Sequence, residues 1–163
     1  MENIIIADLS NPTHAEAVVY LLNEYAKDEM GGGAELTGFA KQNLIPELKK
    51  RQSVYPVLAF IDKDPVGLAI CIEGFSTFAC KPLLNIHDIV VAREYRGRGI
   101  SKKLLAKAEE IATNLGCCKL TLEVLEGNKV AQAAYRAYGF EGYELNPETG
   151  KAMFWQKKLP LAG

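Results

Sequence analysis

Residues suited to holding a phosphate group lie at a strand–helix junction in the middle of the chain. The segment from Arg96 to Ser101, RGRGIS, follows an apolar strand-like run and leads at once into an amphipathic helix pattern. Glycines at such a junction let backbone N–H groups turn outward without a Cβ in the way. The first turn of the helix adds unpaired N–H groups and the positive end of the helix dipole. A junction of this kind can hold a pyrophosphate.

This segment is locally basic, although the formal net charge of the chain is −1. A multiply charged phosphate ligand would suit such a field. A plain strand–helix turn with a solvated basic helix face fits the same residues, so both interpretations stay open at this point. Between positions 93 and 107 the basic residues, against the single acid Glu94, are Arg93, Arg96, Arg98, Lys102, Lys103 and Lys107.

Two known phosphate-binding motifs do not fit this segment. A P-loop closes with Gly-Lys-Ser/Thr, whereas Gly99 is followed by Ile100 and Ser101. The dinucleotide motif G-x-G-x-x-G fails because Lys102 stands in place of its third glycine. If the segment binds phosphate, it does so in another family of folds.

A second segment further along completes a recognisable pattern. A strand-like run from Thr121 to Leu125 is followed by Glu-Gly-Asn and then by a helix pattern. R-x-x-G-x-S from Arg96, followed by N-x-x-A-x-x-x-Y-x-x-x-G-F from Asn128, resembles the GNAT superfamily of acetyl-CoA-dependent N-acetyltransferases. The resemblance covers about Leu84 to Trp155. Ser101 stands where the family usually has Gly or Ala.

The resemblance implies acetyl-CoA as a co-substrate and no metal. Family members run the pantetheine arm along the strand before the glycine turn, and the backbone N–H near Ile89 is the candidate donor to the oxyanion. The pyrophosphate is expected on N–H groups from Arg98 to Lys102. The cofactor-binding residues implied in this way are Ile89, Val90, Val91, Arg96, Gly97, Arg98, Gly99, Ile100, Ser101, Lys102, Asn128 and Tyr135.

Two side chains are candidates for proton transfer. A lysine-type amine has a pKa of about 10.4, so its attack on a thioester at neutral pH profits from a base. In several family members a glutamate drains the amine proton at the place of His87 or Asn85, and a histidine pKa of about 6.5 suits that task. Tyr135, at the family's tyrosine position, is the candidate acid for the thiolate. The alternatives are a histidine satisfied in the sheet and a core tyrosine.

Strand alternation makes a further prediction about the candidate base. Successive side chains of a strand point to opposite faces. Asp88 is expected to orient His87 or to cap a turn, and Glu73 and Glu123 are reserve bases. The predicted grouping of side chains is Asn85, His87 and Ile89 on one face, and Ile86, Asp88 and Val90 on the other.

Composition limits the class of protein. A chain of 163 residues with 48% hydrophobic and 24% charged residues predicts one globular domain, residues 1–163. The near-zero net charge argues against nucleic acid, and the lack of a long apolar run argues against a membrane. A signal peptide is not visible, so we expect a cytoplasmic protein with reduced thiols. The cysteines, whose spacing suggests no zinc site, are Cys71, Cys80, Cys117 and Cys118.

The periodicities predict an α/β fold with a mixed central sheet and helices on both faces. The resemblance implies that this sheet is mostly antiparallel and that its splayed strands hold the cofactor. Helices are expected from Thr13, from about Thr37 to Arg51, from Ile100 to Leu115, and up to Tyr138. Strands are expected at Ile4–Ile6, Val54–Ile61, Pro65 to about Phe78, Leu83–Val91, Thr121–Leu125, and near Gly142–Leu145 and Ala152–Lys158.

Together these expectations predict an N-acetyltransferase that moves an acetyl group from acetyl-CoA to a primary amine by direct attack in a ternary complex. The alternative is a non-catalytic acyl-CoA-binding module of the same fold. The acceptor is a small-molecule or peptide amine, and a homodimer is left open. Polar residues near the loop Gly31–Gly33 would suit a cationic amine, or would simply be solvated: Tyr25, Asp28, Glu29 and Glu35.

Overall fold

The computed structural model describes residues 1–161. The chain divides into a compact unit from Met1 to Asn128 and a second unit that begins at Lys129. The second unit contains α4, Lys129–Tyr138. The first unit contains β1 (Glu2–Ile6), α1 (Pro12–Lys27), α2 (Gly38–Lys49), β2 (Val54–Ile61), β3 (Asp64–Ser76), β4 (Lys81–Val91), α3 (Ile100–Asn114) and β5 (Leu120–Leu122). Short 3-10 helices lie at Glu29–Gly31 and Arg93–Tyr95.

The first unit is built on an open five-stranded sheet in the order β1-β2-β3-β4-β5. Neighbouring strands are antiparallel except for β4 and β5, which are parallel. A parallel pair needs a crossover connection, and α3 supplies it here. The predicted mixed, mostly antiparallel sheet is confirmed.

Helices cover both faces of this sheet. On one face, Val18 and Leu21 of α1 pack with Leu58, Leu68 and Val90 in one buried cluster. On the other face, α3 lies so close to β3 that a Cβ on Gly67 would stand 3.1 Å from side-chain atoms of both Ile100 and Leu104. This close approach fixes the start of α3 against the sheet, and with it the glycine turn that precedes α3.

The end of the chain differs from the prediction. The strand predicted at Thr121–Leu125 is confined to β5, and strands near Gly142–Leu145 and Ala152–Lys158 are not formed. Within the described residues this stretch shows one isolated bridge, between Glu144 and Lys151. Alternating apolar residues favour a strand only where a neighbouring strand can take up the N–H and C=O groups. The apolar side chains in this part of the chain stay exposed, with Trp155 at 80%.

All four cysteines are free thiols in different surroundings. Cys71 is fully buried in β3, and this burial raises the pKa of its thiol to about 12. Cys80 and Cys118 are exposed. Among residues 1–161, no group of His, Cys, Asp and Glu side chains could hold a metal ion, and no helix has the length and apolar character needed to cross a bilayer.

Candidate active site

The site begins where β5 stops following β4. The two strands pair at three positions, the last of which joins Ile86 to Leu122. β4 continues to Val91, whereas β5 ends at Leu122. The edge of β4 beyond Ile86 therefore has no strand beside it within the first unit.

Backbone groups of Ile89 and Val91 point toward this open edge. Ala92 donates its N–H to the carbonyl oxygen of Val66 in β3, at 2.8 Å, which fixes the side on which Ala92 bonds. In an antiparallel ladder, successive residues alternate between bonding to the partner strand and pointing away from it. Val90 therefore bonds toward β3, so Ile89 and Val91 are the two predicted residues that offer backbone groups to a ligand along this edge.

The glycine turn presents the start of α3 without a side-chain cap. Gly99 is the N-cap residue of α3, with φ +79°, and no side chain of the described residues hydrogen bonds to the first turn. By contrast, Asn11 and Thr37 cap α1 and α2 with side-chain oxygens. Nothing lies within 4 Å of where a Cβ on Gly97 or Gly99 would stand. Uncapped N–H groups and open space are what an anion needs at a helix start.

The two arginines of the turn have different surroundings. The guanidinium of Arg98 lies over the ring of Tyr95, 5.1 Å from its centre. Arg96 points away from the turn: its Nε donates to the carbonyl oxygen of Val91 and its Nη2 to Oδ2 of Asp28, both at 3.1 Å. Arg96 therefore has its guanidinium committed elsewhere, which leaves its backbone at the turn.

A β-bulge interrupts β4 at His87. Asp88 pairs with Ile70, and Ile86 pairs with Cys71, so neighbouring residues of β3 stand opposite positions two apart on β4. The extra residue is His87, which is exposed and stands opposite no residue of β3. A bulge of this kind shifts the alternation of side chains along the strand.

The bulge overturns the predicted faces of β4. Val90 belongs to the cluster on the α1 face, and Asp88, two residues before it, shares that face. Asn85 pairs with Ile72, which packs against the same cluster. Asn85 and Asp88 therefore lie on one face, and the prediction that separated them was wrong because one extra residue reverses the alternation.

A group of polar residues lies on the α1 face next to the open edge. Nδ2 of Asn85 donates to Oγ1 of Thr121 at 3.0 Å and reaches both carboxylate oxygens of Glu123 at 3.4 Å. Glu123 also contributes to the titration of Asp88, and Asp88 to that of Tyr25 on α1. Asp88, Glu123 and Tyr25 thus form one electrostatic neighbourhood.

Two groups of this neighbourhood, Asp88 and Tyr25, have raised pKa values. Burial raises the pKa of Asp88, Glu123 raises it further, and His87 acts in the opposite sense. Burial also raises the pKa of the Tyr25 hydroxyl, as do the charges of Asp88 and Asp28. Asp88 was expected from the sequence to have only a supporting role, because the bulge that turns it to this face cannot be recognised in one strand alone.

The reserve base Glu73 lies elsewhere. It pairs with Leu84, and its charge adds to burial in raising the pKa of the Cys117 thiol. Since Glu73 follows Cys71 by two residues, it points to the α3 face. Of the two reserve carboxylates, only Glu123 lies beside Asp88.

The sequence of the chain matches one family of enzymes. Residues 17–140 match the family described as Acetyltransferase (GNAT) family. The chain belongs to this family. The match includes β4, the glycine turn and α3, and it extends through α4.

Curated GNAT relatives are N-acetyltransferases. The chain is 28% identical over 138 residues to the thialysine N-epsilon-acetyltransferase of Caenorhabditis elegans, covering 83% of this chain and 81% of that protein. It is 39% identical over 74 residues to the Bos taurus protein of the same name, covering 45% and 43%. It is 30% identical over 77 residues to the aminoglycoside N(6')-acetyltransferase type 1 of Salmonella typhimurium, covering 47% and 49%.

Solved structures of N-acetyltransferases share the fold. An aminoglycoside N-acetyltransferase in complex with CoA superposes with a TM-score of 0.73 at 21% identity, covering 98% of this chain and 96% of that one. A ribosomal-protein-alanine N-acetyltransferase from Brucella melitensis gives a TM-score of 0.68 at 18% identity, covering 90% and 99%. At these identities the likeness supports the fold of the chain.

The second motif of the GNAT pattern surrounds the start of the second unit. The N–H of Asn128 donates to the carbonyl oxygen of Leu125 at 3.0 Å. Within the second unit, Tyr135 is half-buried on α4 and its ring meets that of Phe140 edge-on, with centres 6.1 Å apart. Phe140 also donates its N–H to the carbonyl oxygen of Tyr135, which closes the end of α4.

We predict that Asp88→Asn stabilises the protein at neutral pH and has a smaller effect near pH 4. Because its folded-state pKa is raised above the ordinary 3.8, Asp88 contributes stability that is fully present below the unfolded pKa and is lost as pH rises through the folded pKa. Because asparagine carries no charge, the variant does not lose this stability as the pH rises. Urea unfolding of both proteins across this pH range measures the difference.

Asp28→Asn provides a control whose effect on stability has the opposite sign and is small, because its ion pair with Arg96 is partly exposed. The N–H of Met30 and the guanidinium of Arg96 hold the pKa of Asp28 below its ordinary value. Its contribution is therefore present above the unfolded pKa and is lost as pH falls through the folded pKa. An Asp88→Asn protein that is less stable than wild type by the same amount at every pH would contradict the assigned burial of this carboxylate.

Proposed function

We propose that this GNAT protein transfers an acetyl group from acetyl-CoA to a primary amine by direct attack in a ternary complex. The observation that carries the proposal is the open edge of β4, which is followed, after a short 3-10 helix, by an uncapped glycine turn. The two features offer backbone groups that bond to no neighbouring strand, and an anion site at the start of α3. A long ligand with amide groups and a pyrophosphate matches both.

The residues present fit CoA. Backbone groups of Ile89 and Val91 would hold the pantetheine arm, and the turn from Arg96 to Lys102 would hold the pyrophosphate, with Arg98 beside it. Bound acetyl-CoA supplies an acetyl thioester. Asn128 is proposed to contact the pantetheine arm on the strength of the family pattern.

The chain's own groups would carry the proton transfers. The N–H of Ile89, on the open edge, would donate to the acetyl carbonyl oxygen, where negative charge develops. His87 or Asp88 would accept the proton that the amine loses as its C–N bond forms. Tyr135 would donate a proton to the sulfur as the C–S bond breaks, a role proposed from the family pattern alone. The raised pKa of Asp88 brings its carboxyl closer to the range that suits a general base.

The acceptor is proposed to be a cationic amine. Asp88 and Glu123 lie together on the α1 face, and a positively charged acceptor would be drawn to them. The relatives are named for acetylation of thialysine and of aminoglycosides, both of which carry amines. A homodimer and a cytoplasmic location stay predictions from the sequence. That the two units act as one acetyltransferase domain is also a proposal, supported by the family match across their boundary.

A panel of amines tests the proposed function against the alternative. The protein is incubated with acetyl-CoA and, separately, polyamines, lysine, aminoglycosides and a lysine peptide, and CoA release is followed by mass spectrometry. Acetylated product with at least one amine is the expected result. Tight acetyl-CoA binding without product from any amine would favour a non-catalytic acyl-CoA-binding module.

Gly99→Val is predicted to weaken CoA binding by more than about tenfold, which corresponds to roughly 1.4 kcal/mol. A β-branched residue resists the positive φ of this position and brings a side chain to the turn. Gly116→Val is the matched control, because Gly116 has φ +73° and open space at the other end of α3. Calorimetry with CoA should separate the two variants. Equal CoA affinity in both folded variants would remove the pyrophosphate from this turn.

Tyr135→Phe is predicted to lower kcat by about 100-fold or more while it changes CoA affinity little, because only the hydroxyl is lost. Tyr138→Phe, half-buried on the same helix, is the control and should keep its kcat. Steady-state kinetics with one acceptor measures both variants. A Phe variant of Tyr135 that turns over like wild type would return this tyrosine to a packing role.

His87→Ala is predicted to lower the rate and to remove an acid limb from the pH–rate profile, if His87 takes the amine proton. The rate should fall as pH falls, because a protonated imidazole accepts no proton. Since the amine's own ionisation also lowers the rate at low pH, both proteins are compared with the same acceptor. An unchanged profile in His87→Ala, with the limb lost in Asp88→Asn, would transfer the role of base to Asp88.

A further inference from the structure

One ion pair joins two parts of the first unit that are far apart in the sequence. The guanidinium of Arg96 bonds to Oδ2 of Asp28 through Nη2, and to the carbonyl oxygen of Val91 through Nε, both at 3.1 Å. Val91 is the last residue of β4, and its carbonyl is one of the groups on the open edge. The side chain of Arg96 thus connects the open edge of β4 with the end of α1.

Asp28 also organises the loop that follows α1. Its Oδ1 accepts the N–H of Met30 at 3.0 Å, and its carbonyl oxygen accepts the N–H groups of Gly31 and Gly33 at 2.9 and 3.0 Å. Both carboxylate oxygens are therefore in use, one within the loop and one toward Arg96. Asp28 therefore bonds both within the loop from Asp28 to Gly33 and to the side chain of Arg96, which belongs to the glycine turn.

The pair lies at a cavity between these two parts. Asp28, Val91 and Arg96 all line a cavity of about 360 Å³, together with Tyr20 and Lys27 of α1. Three residues before Asp28, Tyr25 lies in the electrostatic neighbourhood of Asp88. The end of α1 therefore lies near the polar residues around Asp88, and it is connected to the open edge of β4 by Arg96.

We propose that Asp28 is a positioning residue of acetyl transfer: through Arg96 it fixes the loop Asp28–Gly33 to the open edge of β4, so that acceptor and cofactor sites are set by one ion pair. This proposal rests on the proposed function. The side chains are 22% exposed at Asp28 and 49% at Arg96, so the pair contributes little to global stability. Its effect is expected in the coupling between the two sites.

The test is a double-mutant cycle with Asp28→Asn, Arg96→Gln and the double variant. Asp28→Asn keeps an oxygen for the N–H of Met30 but removes the charge that holds Arg96. We expect the Kd for CoA and the KM for the acceptor each to rise about fivefold, near the low end of coupling between sites. The melting temperature and kcat should change little, and the second substitution should add little to the first.

Glu47→Gln is the matched control. Glu47 on α2 bonds to Lys50 and Arg51 at 2.7 and 3.0 Å, so this change removes the same charge from another exposed ion-pair group. It should leave the Kd and KM at their wild-type values. Equal changes in the control, additive effects in the double variant, or unchanged constants in Asp28→Asn would each overturn the proposal.

Amide hydrogen exchange separates this proposal from the proposed function. If the panel of amines yields no product, the Kd for CoA still tests the effect of the ion pair. If CoA does not bind, the rate of amide exchange still tests it. Arg96→Gln should speed exchange at Gly31 and Gly33, whose N–H groups bond to Asp28, although Arg96 touches neither. Unchanged exchange at these two amides would show that the pair does not hold the loop.

Discussion

The parallel pairing of β4 with β5 lasts for three residue pairs, and the rest of the site depends on where it stops. Each backbone N–H and C=O group in a sheet needs a partner. β4 keeps its ladder with β3 to the end, so β4 is held in place where its other edge, beyond Ile86, has no strand beside it within the first unit. α3 returns the chain to β5 on the far side of the glycine turn. The same crossover that makes the pair parallel therefore also puts a helix start at the end of the free edge.

The bulge at His87 is the second constraint. Without it, Asp88 would lie on the face covered by α3, where apolar side chains are packed. With it, a carboxyl group stands on the α1 face beside Glu123 and near Tyr25. One inserted residue thus changes which side of the sheet carries the ionisable groups.

Features that depend on residues close together in the sequence were predicted correctly. The glycine turn, the helix periodicity from Ile100 and the hairpin of β2 and β3 each have a local pattern, and the structure contains all three. The faces of β4 could not be predicted, because a bulge is a property of two paired strands. The ion pair between Arg96 and Asp28 joins residues 68 positions apart, so no local sequence pattern could predict it. The strands near Gly142 and Ala152 were predicted on either side of a turn, and such a local pattern does not show whether a strand edge is available to pair with them.

The burial of Cys71 has a consequence for the chemical reactivity of this protein. Thiol reagents attack the thiolate, and a thiol with a pKa of about 12 is almost never ionised at neutral pH. Alkylation or oxidation of the folded chain should therefore begin at Cys80 and Cys118, which lie on the surface. Colorimetric reagents for free sulfhydryls will read those two residues as a constant background and will reach Cys71 only when the sheet opens.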